Sequence, residues 1–342
     1  MFKVISKNFP RFTSDPEIIS DRLKAPLTRP ELYGLAISLA VTIGITAMSY
    51  SMDGIPFDFN IYIKTLDGVF TGYYYPYWVI AFFLPFKLLP PLMSFFMWGL
   101  LNIIGIWYAC RVFGGNSFFT LVSFQMLYAL GHGQIIGIMI LGLAFFWVMF
   151  IKGKWDLAGI GLLLASAKVQ SGFIIALLLW LMAELPFKYK LRSLLIPLIV
   201  TVLSLIIYPN WLIEIIAETQ PSSIIEGGNI SLWRWIGPWS LILFLPLFFI
   251  PLSKTELLIV LFSAIILTEP YFNMPDLLTI FIFPIHWIFI FIGNIGYAWN
   301  GENWLWIQSL GIIPLGVYLS IIIPRILEVR KNNDFLIPDS NW

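Results

Sequence analysis

From Val112 to Ile151 the chain carries no Asp, Glu, Lys or Arg. A stretch that long without a charge has no face to present to water, whatever its periodicity. Gly131-His132-Gly133 interrupts it, so it holds at least two apolar helical pieces. The rest of the 342 residues is of the same kind, 59% hydrophobic and 11% charged, where a soluble domain carries about 25% charged residues. A globule of this size cannot hide that much apolar surface, and lipid must cover the remainder. The chain therefore reads as an all-α polytopic membrane protein, with about 11–13 transmembrane helices at about 20 residues per bilayer crossing and shorter pieces inside a bundle. Its net charge of +1 points to no nucleic-acid partner, and its single cysteine, Cys110, permits no disulfide within the chain.

The first apolar run begins at Leu32, after a polar leader containing Lys3, Lys7, Arg11, Arg22, Lys24 and Arg29. The leader is too long for a signal peptide, and no small-residue cleavage site follows the run. The positive-inside rule places residues 1–31 in the cytoplasm. A transmembrane domain over 32–324 and a tail over 325–342 follow, with no soluble domain appended. Residues 32–50 make the first span. The loop 52–75, holding Asp53, Asp58, Lys64 and Asp67, is wet and extracytoplasmic. Within it Phe59, Ile61, Ile63, Leu66 and Phe70 recur at roughly helical spacing, which predicts a short interfacial helix. Further spans are expected over 77–89, 92–110, 157–167, 172–183, 193–208, 239–253, 257–268, 277–295 and 305–324, besides the pieces within 112–151.

The basic stretches Lys152-Gly153-Lys154 and Lys188-Tyr189-Lys190-Leu191-Arg192 belong in the cytoplasm. Strict alternation puts both outside, so one segment before residue 134 must fail to cross; 118–130 is the weakest. With that correction 131–134, 167–171, 209–235 and 269–276 share an outer face with Asp58. The basic tail fits neither count.

Soluble-enzyme chemistry finds no support: the only histidines, His132 and His286, lie far apart, and there is neither a phosphate-cradling loop nor a nucleophile elbow. The polar residues that remain stand at the outer ends of apolar helices. They are Asp58 in Phe57-Asp58-Phe59-Asn60-Ile61-Tyr62, the run Gly72-Tyr73-Tyr74-Tyr75-Pro76-Tyr77-Trp78, Gly131-His132-Gly133-Gln134, Ala167-Lys168-Val169-Gln170, Gly227-Gly228-Asn229-Ile230-Ser231-Leu232-Trp233-Arg234, and Glu269-Pro270-Tyr271-Phe272-Asn273-Met274-Pro275-Asp276-Leu277. A carboxylate, two cations and several amides on one face suit a reaction that needs a base and an anion clamp.

The order and spacing of these pieces resemble the bacterial glycosyltransferases of family 87, in the GT-C superfamily, over roughly residues 32–295. Asp58 with Tyr62 matches the family's outer-loop Asp and Tyr. Tyr75-Pro76 and Leu89-Pro90 match its Tyr-Pro and Leu-Pro elements, Gly133-Gln134 its Gly-Gln step, and Ala167-Lys168 its helix-ending Ala-Lys. Gly228–Leu232 matches a Gly-Asn-x-Ser-Leu stretch, and Pro270 through Asp276-Leu277 a late Pro–Asp-Leu element. The chain departs from the pattern at Val169, where Pro usually follows the lysine, at Ile135-Ile136, and in having no histidine in the late outer loop.

The resemblance implies a GT-C bundle with an outer-face loop helix after the first span, in a bacterial plasma membrane. It implies transfer of a hexose, mannose favoured, from a polyprenyl-phosphate sugar to a lipid or glycan acceptor on the extracytoplasmic face, with inversion. Asp58 would be the base; Tyr62, His132, Gln134, Lys168, Asn229, Arg234 and Asp276 would bind substrate. No metal or cofactor is expected.

Each of these residues also has a plainer reading. Asp53, Asp58 and Asp67 suit solvated loop carboxylates. Lys168 suits a lysine snorkelling to the interface. Arg234, among Trp233, Trp235 and Trp239, suits an aromatic belt, as does the 73–78 cluster. His132 and Gln134 suit caps of a helix starting near Ile135, and Asp276 the N-cap of a helix from Leu277. His286 suits a helix-packing hydrogen bond. As a whole the chain also suits a non-catalytic scaffold subunit of a larger complex. A lipid or solute transporter would want mid-span ionisable groups and internal repeats; His286 alone fits the first, and no repeat is visible.

Overall fold

The computed structural model of the chain describes residues 13–51, 54, 56–218, 228–295 and 308–334. Asp53, Gly227, residues 305–307 and the tail beyond 334 lie outside them. Every regular element described is helical, and an isolated antiparallel bridge joins Asn229 to Asn273. The chain is a helical, multi-pass membrane protein. Four helices are long and apolar enough to cross a bilayer: Arg29–Tyr50, Pro91–Phe113, Phe187–Ile207 and Ile312–Arg330. A fifth is possible if Phe124–His132 and Ile136–Ile151, bent by 114° at their junction, count together.

That is fewer full-length spans than the 11–13 expected. Several apolar runs form shorter helices instead, among them Tyr77–Lys87, Trp155–Ala165 and Val169–Met182. The 239–253 run is wound mainly as a 3-10 helix, Gly237–Phe248.

Two expected spans do not run across at all. Lys87, closing the Tyr77–Lys87 helix, pairs with Asp67 of the loop that precedes it, so 77–89 begins and ends on one face. Residues 117–132 climb beside the first span: Gly34 lies against Phe118 and Leu121, and Gly131 against Ile45. The second exception is 277–295. It descends until Phe281 O accepts from the Thr120 hydroxyl at 3.2 Å. It then turns near Pro284 and rises again, Trp287 stacking on Phe119 and Gly293 O accepting from the Gln125 amide at 3.3 Å. His286 caps the Trp287–Gly293 helix, its Nδ1 accepting from Ile288 N at 3.2 Å.

Ion pairs gather the charged loops at the opposite end from Asp58. Arg192 grips Asp156 at 2.7 and 3.0 Å, and Trp155 stacks on Tyr189 at 4.8 Å, joining the two basic stretches. Lys254 pairs with Glu184, and Arg325 with Glu256. The pair to Arg325 brings the start of the basic tail to the face of the basic loops, which strict alternation could not do. The polar leader belongs there too. Its Pro16–Lys24 helix is held by Arg111, which donates to Glu31 twice and to the carbonyls of Arg22, Ala25 and Pro26.

The largest core cluster surrounds Ile136–Ile151, which packs against Trp155–Ala165 with the backbones almost touching. A Cβ on Gly161 would meet Phe146 N at 2.3 Å. Phe187–Ile207 is the opposite case: Leu198, Leu203, Ile206 and Ile207 all point away from the protein, with Ile206 70% exposed. Such a face requires lipid.

Candidate functional site

The loop after the first span folds into the helix Phe57–Thr65, as its apolar spacing predicts. Phe59 and Tyr62, three residues apart, share the buried face and settle among Phe83, Phe95 and Trp98. Tyr62 stacks on Phe83 at 4.7 Å, and its hydroxyl lies 3.0 Å from that of Tyr75. The 73–78 cluster is therefore not mainly an interfacial anchor. Tyr73 and Trp78 are buried in this second core, and Tyr73 donates to Pro76 O.

Asp58, one helical turn before Tyr62, is half-buried, and its Oδ2 accepts from the Gln134 side chain. Gly133 makes this meeting possible. It sits at φ +72° as the C-cap of Phe124–His132, and a Cβ there would lie 2.6 Å from Phe59 Cβ. Its carbonyl accepts from Trp98 Nε1 at 2.9 Å. The bend between the two helices is thus pinned against the Asp58 helix, and Gln134 follows directly from it. His132, the last residue before the bend, stacks on Tyr128 at 3.9 Å with Nδ1 3.1 Å from Tyr128 O. Burial pushes the Asp58 carboxyl above the usual carboxylate range, opposed by the charges of His132 and Lys168 and by the Gln134 hydrogen bond.

Lys168 occupies the break between Trp155–Ala165 and the π-helical turn Val169–Phe173, with φ −122° and ψ 97°. It does not snorkel. It is 5% exposed, and its Nζ donates to Asp276 Oδ1 at 2.6 Å. Asp276 is fully buried in the 3-10 turn Met274–Leu277. It is not that element's N-cap; Asn273 is, accepting from Met274 N at 2.7 Å. The other Asp276 oxygen, Oδ2, is buried with no hydrogen-bond partner.

The structure thus gathers Asp58, Tyr62, His132, Gln134, Lys168 and Asp276 at one end of the bundle. Asn229 lies beside them as a clasp: its amide donates to Pro270 O at 2.8 Å and accepts from Ser231 N and Phe272 N. Arg234 stands apart on the exposed turn Trp233–Ile236. Its guanidinium packs near Trp235, and the Gln308 amide oxygen, turned towards it, accepts at 2.9 Å.

No family model, curated protein or solved structure matches this chain.

Sequence reasoning missed three members of the group, Glu269, Tyr75 and Tyr271. Glu269 ends the Lys254–Thr268 helix with its Oε2 buried and unpartnered. Burial and the negative charge of Asp276 push its carboxyl up to about 9, against the pull of Lys168. A carboxylate at the mouth of an apolar helix, in the same loop as Asp276, was the available signal. Tyr75 and Tyr271 also belong here, each feeling the charges of both Asp58 and Asp276. Among the described residues no three His, Cys, Asp or Glu side chains come together to hold a metal. What the arrangement offers is one half-buried carboxylate oriented by an amide, a buried ammonium acting on it, and a rim of tyrosine hydroxyls.

Proposed function

We propose that this protein is a membrane glycosyltransferase of GT-C type that moves a hexose, mannose favoured, from a polyprenyl-phosphate sugar to a lipid or glycan acceptor outside the cytoplasm. The observation that carries the reading is the Asp58 carboxylate, held by Gln134 and acted on by Lys168 and His132. Transfer by single displacement needs one base to take the acceptor proton as that oxygen attacks the anomeric carbon. Asp58 has the Gln134 amide to orient it, and that hydrogen bond and the Lys168 charge oppose the burial that raises its carboxyl. The leaving prenyl phosphate departs with negative charge, and a fixed cation in a dry site stabilises that charge most where it develops. Lys168 supplies it beside the base; Arg234, exposed and apart, suits the phosphate's approach better than the reaction. The motif order over 32–295 and the bacterial plasma membrane belong to the same reading.

The decisive experiment uses the full chain in nanodiscs with radiolabelled polyprenyl-phosphate mannose and a membrane-lipid extract as acceptor source. Asp58→Asn keeps the side chain's shape and removes the basic oxygen. Transfer is expected to fall about 10²–10⁴-fold with the unfolding midpoint unchanged. Transfer near the wild-type rate refutes the assignment.

A second reading has its own support. A buried Lys–Asp pair beside a helix break is also the arrangement of discontinuous helices in transporters. That reading expects the labelled lipid to change leaflet without release of free prenyl phosphate.

A further inference from the structure

The charges of the site do not suit an anionic ligand as they stand. Asp58, Asp276 and Glu269 lie around one lysine, with His132 also near Asp58. Were all three carboxyls ionised, a phosphate beside Lys168 would meet a surplus of negative charge among buried groups, where like charges repel strongly.

Two oxygens show how the surplus is removed. Asp276 is fully buried; its Oδ1 is taken by Lys168, and its Oδ2 has no donor. Glu269 Oε2 is likewise buried without a donor. The two side chains lie on one short loop, which the Asn229 amide clasps from the carbonyl of Pro270 to the N–H of Phe272. Each of these carboxyl oxygens is a buried acceptor without a donor, which is costly, and a proton on either carboxyl removes one charge from the loop and supplies a donor there. The remaining neighbours, Lys168 and the Tyr271 hydroxyl, leave that need unmet.

We propose that Glu269 and Asp276 hold one proton between them, and that this proton makes the Lys168 site hospitable to a prenyl-phosphate anion. The inference rests on the glycosyltransferase reading for its ligand class. Glu269 is on this account a positioning residue: it touches neither sugar nor acceptor, and acts by cancelling charge behind Lys168. With the proton in place, Asp276 and Lys168 form a neutral pair and Glu269 adds nothing. With it lost, the group is net negative and expels the anion.

The resting proton can be read without any ligand. In lipid-reconstituted full chain, infrared difference spectra between neutral and alkaline pH should show a protonated-carboxyl C=O stretch that disappears on alkalinisation. E269Q should lack that band. A wild-type protein without the band, or with the same band in E269Q, overturns the shared proton. Farnesyl phosphate then serves as the probe. It should raise the wild-type unfolding temperature at neutral pH, lose that effect about tenfold in affinity per pH unit above the band's midpoint, and move the midpoint upward. E269Q should bind it with little pH dependence over the same range. Binding with an unmoved midpoint overturns the linkage. A clear band with no binding of farnesyl phosphate at any pH overturns the phosphate site, and the glycosyltransferase reading falls separately from the proton.

Discussion

Replacing Lys168 by Met separates a structural ion pair from an interfacial lysine. At 2.6 Å between Nζ and Oδ1, Coulomb attraction at an effective dielectric near 20 is about 6 kcal/mol. Most of that offsets the desolvation of both charges, so the pair itself stabilises little. Removing one partner is different, because it strands the other, and such losses run to about 3–5 kcal/mol. Asp276 has an escape: it can take a proton. From an ordinary value of 3.8, protonation at pH 7 costs about 4 kcal/mol at 1.36 kcal/mol per unit, which caps the penalty. At pH 5 the same cap is about 1.6 kcal/mol.

The sign follows from proton counting. In Lys168→Met the folded Asp276 binds a proton that the unfolded chain has released, so stability falls as pH rises above about 4. The variant should therefore lie about 3–4 kcal/mol below wild type at pH 7, and within about 1.6 kcal/mol at pH 5. Lys168→Met combined with Asp276→Asn should recover most of the loss. Denaturant unfolding in mild detergent micelles at the two pH values measures all of these. A Lys168→Met protein as stable as wild type at pH 7, or a deficit independent of pH, refutes the buried pair and returns Lys168 to the lipid interface.

Other outcomes follow from the same geometry. Gln134→Leu removes a hydrogen bond that favours ionised Asp58, so the acid limb of the transfer–pH profile should move to higher pH, while an unmoved limb would part Asp58 from Gln134. Gly133→Ala sets a methyl group 2.6 Å from Phe59 Cβ in a left-handed backbone, and should cost about 1–3 kcal/mol; a neutral result in unfolding would contradict the pinned bend. In a Cys110→Ser background, Asp67→Cys and Tyr74→Cys should react with a membrane-impermeant maleimide from outside intact cells. Lys154→Cys and Arg330→Cys should not, and the reverse pattern would invert the orientation.

The sequence carried local information well and distant information poorly. The helix over 57–65 was legible, because the spacing of Phe59, Ile61 and Ile63 within the loop was close to helical. The break at Gly131–Gly133 was legible from glycine, but not that it would press on Phe59. Lys168 and Asp276, 108 residues apart, meet only through tertiary packing, and each read singly as a surface group. Asp276 looked like a cap because Asp favours that position; Asn273, three residues earlier, takes the role. Hydropathy mistook 77–89 and 277–295 for spans because it counts apolar side chains without seeing where a segment ends. The Asp67–Lys87 pair and the turn near Pro284 decide that.

The lipid-facing helix Phe187–Ile207 has a consequence for the end of the bundle that holds Asp58. At 1.5 Å per residue its 21 residues extend about 31 Å, close to the hydrocarbon thickness of a bilayer. With so little protein around it, its tilt answers to hydrophobic mismatch. One end is tied by Arg192 to Asp156. Just past the other, Tyr208 stacks on Phe70 at 5.4 Å and meets Tyr77 in a tilted contact at 5.1 Å, beside the aromatic cluster that holds Tyr62. A change of tilt in this helix, driven by bilayer thickness, would therefore reach the aromatic cluster around Tyr62 through Tyr208.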